Sequence, residues 1–198
     1  MRGSCWRHSS GTCVRWNVRY RPKADGSFAA AWFDDDAYLW NDDRLSLAAP
    51  LTEAWVPPSL KLHRPEQGAT SVLFNPNALA VSSALKGALA SFVELEFLPI
   101  CIEGHGEFHI MRTVATIELP ADSRARIAPP PSENLVQIDA FPSSFESKHA
   151  FFRVLHPPGS PAGRAGRTTR TMYANDTGAH AIERHAAGYL TVTKMPSN

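Results

Sequence analysis

The sequence predicts an α+β fold: a largely antiparallel sheet of about six to eight strands, carrying a few helices, in a single domain. Three observations predict it. Alternating or short apolar runs bounded by turn residues recur along the whole chain. Only two segments place apolar residues at helical spacing behind a polar cap. A length of 198 residues suits one hydrophobic core. Hydrophobic residues make up 43% of the chain and charged residues 20%, well away from the low-hydrophobicity, high-charge compositions that stay disordered.

Residues 1–13 are rich in Arg, Ser, Gly and Cys without periodicity and read as a flexible N-terminal arm, leaving residues 14–198 as the domain. Val14, Trp16, Val18 and Tyr20 alternate with Arg15, Asn17 and Arg19, as in a half-buried strand. A turn at Ala24-Asp25-Gly26-Ser27 would join that strand to residues 28–33 as a hairpin. Residues 55–62 should be extended, because Pro57 and Pro58 lack amide donors and steer the preceding residue away from helix. They lead into Val72-Leu73-Phe74.

Ser82 or Ser83 then caps a short helix whose apolar set is Val81, Leu85, Ala88 and Phe92. In the strand that follows, Val93, Leu95 and Phe97 share a face; Gly104-His105-Gly106 makes a turn, and residues 108–119 return. Pro129, Pro130 and Pro131 break the pattern before strands over 135–141 and 150–155. Residues 157–166, rich in Pro and Gly, read as a mobile surface loop. Asn175 caps a second helix containing Ala179, Ile182 and Ala186, which Gly188 ends before a last strand at Tyr189-Leu190-Thr191-Val192. Each half of the chain thus contains an extended run, a polar cap, a helix and an immediate apolar strand.

The formal net charge of +1 gives no overall field to draw the chain onto nucleic acid or an anionic membrane. No apolar stretch approaches the length needed to cross a bilayer, and the start lacks the apolar run of a secretory leader. Cys5, Cys13 and Cys101 are odd in number and lack paired spacing, as expected of reduced thiols in a cytoplasmic protein.

Catalytic signatures are sparse. His105, Glu107 and His109, with Cys101 and Glu103 nearby, form the most metal-like cluster and support the alternative reading, a small metal-dependent enzyme. The glycines beside them favour a turn that would scatter the side chains, so no metal, cofactor or catalytic residue is assigned. Arg153, Arg164, Arg167 and Arg170 could grip phosphate, but they lack interleaved aromatics and read as a solvated loop, so no direct nucleic-acid binding is expected.

The strongest local signal runs from Asp34 to Asp43. Asp34, Asp35, Asp36, Asp42 and Asp43 surround Tyr38 and Trp40. Like charges packed this closely cannot be buried unpaired, so the segment is either exposed or engaged with a basic partner. An inert charged loop and a metal site are the rival readings. A protein-binding surface is the adopted one, because aromatic side chains beside steering charge are typical interface anchors.

From about Trp55 onward the chain resembles the bacterial immunity-protein family known as Imm11 or DUF1629. The residues that carry the resemblance are Trp55-Val56-Pro57-Pro58, Val81-Ser82-Ser83-Ala84-Leu85, Val93-Glu94-Leu95-Glu96-Phe97-Leu98-Pro99-Ile100 and Gly188-Tyr189-Leu190-Thr191-Val192. Asn175-Asp176-Thr177 replaces a serine-led cap, and Phe108-His109-Ile110 stands where an aromatic-led strand is expected. The resemblance implies a non-enzymatic antidote that binds and neutralises a co-encoded polymorphic or type VI secreted toxin. A cytoplasmic antidote implies a cytoplasmic target, and an acidic patch suits the phosphate-gripping groove of a nuclease such as a DNase.

Overall fold

The computed structural model describes residues 16–21, 31–32, 43–75 and 78–197. In chain order these form β1 (Trp16–Tyr20), β2 (Ala31–Trp32), β3 (Ser59–Leu60), β4 (Val72–Asn75), β5 (Ala78–Ser82) and α1 (Ser83–Leu89). There follow β6 (Leu95–Ile102), β7 (Gly106–Thr113), β8 (Thr116–Ile117), β9 (Arg124–Ile127), β10 (Leu135–Ala140) and β11 (Phe151–Val154). The chain ends with α2 (Pro161–Arg164), β12 (Tyr173–Ala174), α3 (Asp176–Ala186) and β13 (Leu190–Lys194). The fold is sheet-rich α+β.

The strands do not form one sheet. A six-stranded sheet runs β2-β4-β5-β7-β6-β3, a five-stranded sheet runs β13-β1-β12-β11-β8, and β9 with β10 makes a separate ribbon. Most pairs are antiparallel, while β2–β4, β3–β6 and β8–β11 are parallel. The hairpin expected between the first two runs does not form. Instead β1 lies between β13 and β12 in one sheet, and β2 pairs with β4 in the other. Alternation marks the first run as a strand and apolar residues mark the second, but neither pattern could say which neighbour would complete the ladder.

The longest pairing is β6 with β7, from Leu95↔Thr113 to Ile102↔Gly106, closed by a turn in which Gly104 and Gly106 take φ of +74° and +82°. Both faces of β6 are covered. Leu95 and Phe97 join Leu85, Leu89, Phe151 and Ile182 in a core shared by the two large sheets and helices α1 and α3. Leu98, Ile100 and Ile102 pack with Leu60, Leu73 and Ile110 on the other side. Burying a side chain of this size stabilises the fold by about 1.5–3 kcal/mol. Val93, expected on the inner face with Leu95, precedes the strand and is 91% exposed.

A third cluster is aromatic. Phe141 meets Tyr173 edge-on with centroids 5.3 Å apart, and Tyr173 stacks on Phe152 at 5.8 Å. Burial pushes the Tyr173 hydroxyl up to about 12, so the ring stays a neutral phenol.

Both helix caps stand where the sequence places them. The Ser82 hydroxyl accepts from Leu85 N at 3.3 Å, and the Asn175 side chain accepts from Gly178 N at 3.1 Å. The inner face of α1 is Leu85 with Leu89; Ala88 points outward. Residues 157–166 are not a loose loop. Ser160, itself buried, caps α2, Ala162 is buried, and Gly163 lies so close to the Pro157 carbonyl that a Cβ there would sit 1.9 Å from its oxygen. No helix among the described residues is long and apolar enough to cross a membrane.

Candidate functional site

Asp34, Asp35, Asp36, Tyr38, Trp40 and Asp42 lie outside the described residues, and Asp43 opens a 3-10 turn, Asp43–Ser46. The flanks of the acidic segment are both described. On one side, β2 is hydrogen-bonded to β4 at Ala31↔Leu73 and Trp32↔Phe74. On the other, residues 44–52 are held by a buried ionic cluster.

That cluster consists of Arg112 on β7, Arg153 on β11 and Glu96 on β6, which are 6%, 4% and 6% exposed. Arg112 donates through Nη1 to the carbonyl of Arg44 at 3.2 Å, and through Nη2 to those of Leu47 and Ala49 at 2.6 and 2.9 Å. Arg153 donates to the carbonyls of Leu45 at 2.8 Å and Leu47 at 3.0 Å, and its Nε donates to the Thr113 carbonyl at 3.1 Å. The Ser46 carbonyl is taken by the amide and hydroxyl of Thr168. Four consecutive carbonyls, 44 to 47, are therefore bonded to groups far away in sequence.

Glu96 completes the arrangement from the other side. Its Oε1 accepts from the amides of Leu51 and Thr52 and from the Thr52 hydroxyl at 2.6, 2.8 and 2.7 Å. Its Oε2 stands 3.2 Å from Arg112 Nε, an ion-pair contact without the alignment of a hydrogen bond. Two cations and one anion thus share a site out of water. Burial lowers Arg112, which Glu96 partly offsets. Burial and the neighbouring Arg112 push Arg153 down to about 9, so both guanidinium groups stay protonated at neutral pH. Trp55 adds to the mount, donating from its ring nitrogen to the Pro99 carbonyl at 2.7 Å beneath the Arg44 guanidinium.

The His105/Glu107/His109 cluster divides. His105 lies in the turn, while Glu107 and His109 share a face of β7 because the strand begins at Gly106, before either residue. His109 Nε2 is 2.9 Å from Glu107 Oε1, but the Lys86 ammonium on α1 is 2.8 Å from the same nitrogen, in the place a metal would need. Burial, then Lys86, hold the imidazole below its ordinary pKa against the opposing pull of Glu107. Among the described residues no group of three or more His, Cys, Asp or Glu side chains is placed to hold a metal.

The four arginines read as a solvated loop separate as well. Arg153 is the buried clamp, Arg164 donates to the Gly159 carbonyl, and Arg167 and Arg170 line a cleft. This cleft, of about 750 Å³, opens between β1, β12 and β11 of one sheet and β4, β5 and β7 of the other. Arg19, Arg112 and Arg153 line it too, without a single Asp or Glu among the described lining residues. His156 in its wall accepts from Leu135 N at 3.0 Å and is kept neutral chiefly by burial, with Arg167 adding to the effect. Asn17, expected on the wet face of its strand, is 5% exposed and its side-chain oxygen has no partner.

Sequence reasoning missed Glu96, Arg112 and Asn17, each of which carries a polar group at a position that the tertiary fold covers. The one available signal was Glu96, a carboxylate in the apolar run from Leu95 to Ile100. No protein-family model matches the chain, and a search of the curated proteins finds no match to it.

Proposed function

We propose that the protein is an immunity protein that binds and neutralises a co-encoded toxin, with the acidic-aromatic segment Asp34 to Asp43 as its contact surface. The observation that carries this reading is the clamp. Two buried arginines and a buried glutamate hold the backbone next to the segment, and β2 is hydrogen-bonded into a sheet just before it. A dense run of like charge with both flanks fixed has its ordering entropy partly met before any partner arrives, which favours tight association. Residues 14–198 are read as one largely antiparallel α+β domain, because the core around Phe151 and Ile182 draws on both large sheets. The partner class that fits the charge is a basic, phosphate-gripping toxin of the cytoplasm, a nuclease being the clearest case.

Binding kinetics against the toxin domain encoded beside this gene test the reading. Asp34→Asn/Asp35→Asn/Asp36→Asn should slow association about tenfold and flatten its salt dependence, while Trp40→Ala should chiefly speed dissociation. Parent-like rates and full protection of cells by both variants would place the interface elsewhere.

A further inference from the structure

We propose that His156 is a proton-operated latch: as a neutral ring it ties the β9–β10 ribbon to the chain that follows β11, and on taking up a proton it lets the ribbon go. Neither strand of the ribbon pairs with a strand of either large sheet. At the start of β10, two hydrogen bonds cross to the 156–162 stretch instead. The Leu135 amide donates to His156 Nδ1 at 3.0 Å, and the Ala162 amide donates to the Asn134 side-chain oxygen at 3.2 Å. Leu135 is 4% exposed and packs with Ile138, Phe152 and Val154, so its amide is out of water and depends on the ring.

An imidazole accepts through Nδ1 only while that nitrogen keeps its lone pair, which places the one proton of the neutral ring on Nε2. A hydrogen bond with the Thr168 backbone holds the ring as well. A second proton, on Nδ1, sets one donor against another. The bond to Leu135 is then lost, and a buried amide without its partner costs about 1–3 kcal/mol unless the ribbon moves away. Burial, opposed by the Thr168 bond and reinforced by Arg167, keeps the ring below 6.5 in the closed state. Among the described residues Arg167 is the charged group that acts on it; the ribbon presents the uncharged Leu135 and Asn134 with Glu133 exposed beside them, and Arg164 of α2 turns to the Gly159 carbonyl. A ring released into water regains its ordinary proton affinity, so acid favours the open state and neutral pH the closed one. Residues 134 to 137 line the cleft together with His156, so opening withdraws one of its walls.

Amide hydrogen exchange of the full chain, followed by NMR at about pH 7.5 and about pH 5.5 and corrected for intrinsic exchange, tests the latch. At the lower pH, protection of Leu135 and Ala162 should fall at least about threefold more than that of Leu98 and Ile110, which pair across β6 and β7 in the other core. The Leu135 amide shift should titrate with the same midpoint as the His156 ring, below 6.5. His156→Gln keeps an acceptor for Leu135 and a donor for Thr168 but cannot titrate, so the extra loss should vanish. Equal loss in the ribbon and in β6–β7 would be unfolding of the whole chain and overturns the latch, as does a ribbon-specific loss that persists in His156→Gln. Leu135 protection that ignores pH in the parent overturns it without any variant.

Discussion

The two capped units, β5-α1-β6 and β12-α3-β13, share local grammar but differ in tertiary setting. In each, a polar side chain at the end of a short strand accepts from the amide three residues on, and the helix then buries an apolar stripe in the same core. Beyond that they part. The first unit ends in β6, flanked by β7 and β3 and carrying the buried Glu96; the second ends in β13, at the edge of its sheet. In α3, Gly178 approaches the Ala150 carbonyl so closely that an added Cβ would lie 2.2 Å from the oxygen, whereas the glycine of α1, Gly87, has open space around its Cβ position. Capping is written locally. What a helix rests on is not.

The largest effect should come from β6, the strand of the first unit that lies inside its sheet and carries Glu96. Glu96→Ala leaves Arg112 and Arg153 as two uncompensated buried cations and frees the amides of Leu51 and Thr52. Stability should fall by about 3–5 kcal/mol, read from chemical denaturation. A loss below about 1 kcal/mol would mean that water reaches the cluster.

A paired substitution sharpens the contrast between the helices. Gly178→Ala should cost about 2 kcal/mol, the clash with a fixed carbonyl outweighing the gain in helix propensity. Gly87→Ala, identical chemistry in open space, should stabilise by up to about 1 kcal/mol. Thermal midpoints should therefore move in opposite directions, by about 2–4 °C per kcal/mol for a chain of this size.

The smallest effect is a pH dependence that passes through the first unit. His109 faces Lys86 of α1, and like His156 it has a folded-state pKa below 6.5. The unfolded chain therefore binds more protons than the folded one as pH falls below about 6.5, and stability should decline through that window while remaining flat above it. His109→Gln should reduce the slope in thermal melts between about pH 7.5 and 5.5.

Much of the fold was legible because its signals are local. The caps at Ser82 and Asn175, the turn around Gly104 and the proline-extended run after Trp55 each follow from one residue's own chemistry. Pairing was not legible. β1 alternates as a strand should and β2 lies in a short apolar run, yet nothing in 14–33 reveals that they enter different sheets. The candidate site was half legible: charge density marked Asp34 to Asp43, but its anchorage depends on Arg112 and Arg153, residues some 60 to 110 positions away that no spacing rule connects to it. Arginine in a Gly/Pro-rich stretch reads as solvated until a second sheet closes over it.

The clamp has a consequence for how such a protein can change over generations. Arg112 and Arg153 grip carbonyl oxygens of residues 44 to 49, an atom that every amino acid carries, and not the side chains there. The guanidinium bonds themselves are therefore blind to which side chains those residues carry. Substitutions on the mounted stretch leave these carbonyls available to the guanidinium groups, while the packing of Leu45 and the contact of Arg44 with Trp55 restrict which side chains the stretch accepts. An anchor made of side-chain pairs would have forced each such change to be matched by another inside the core.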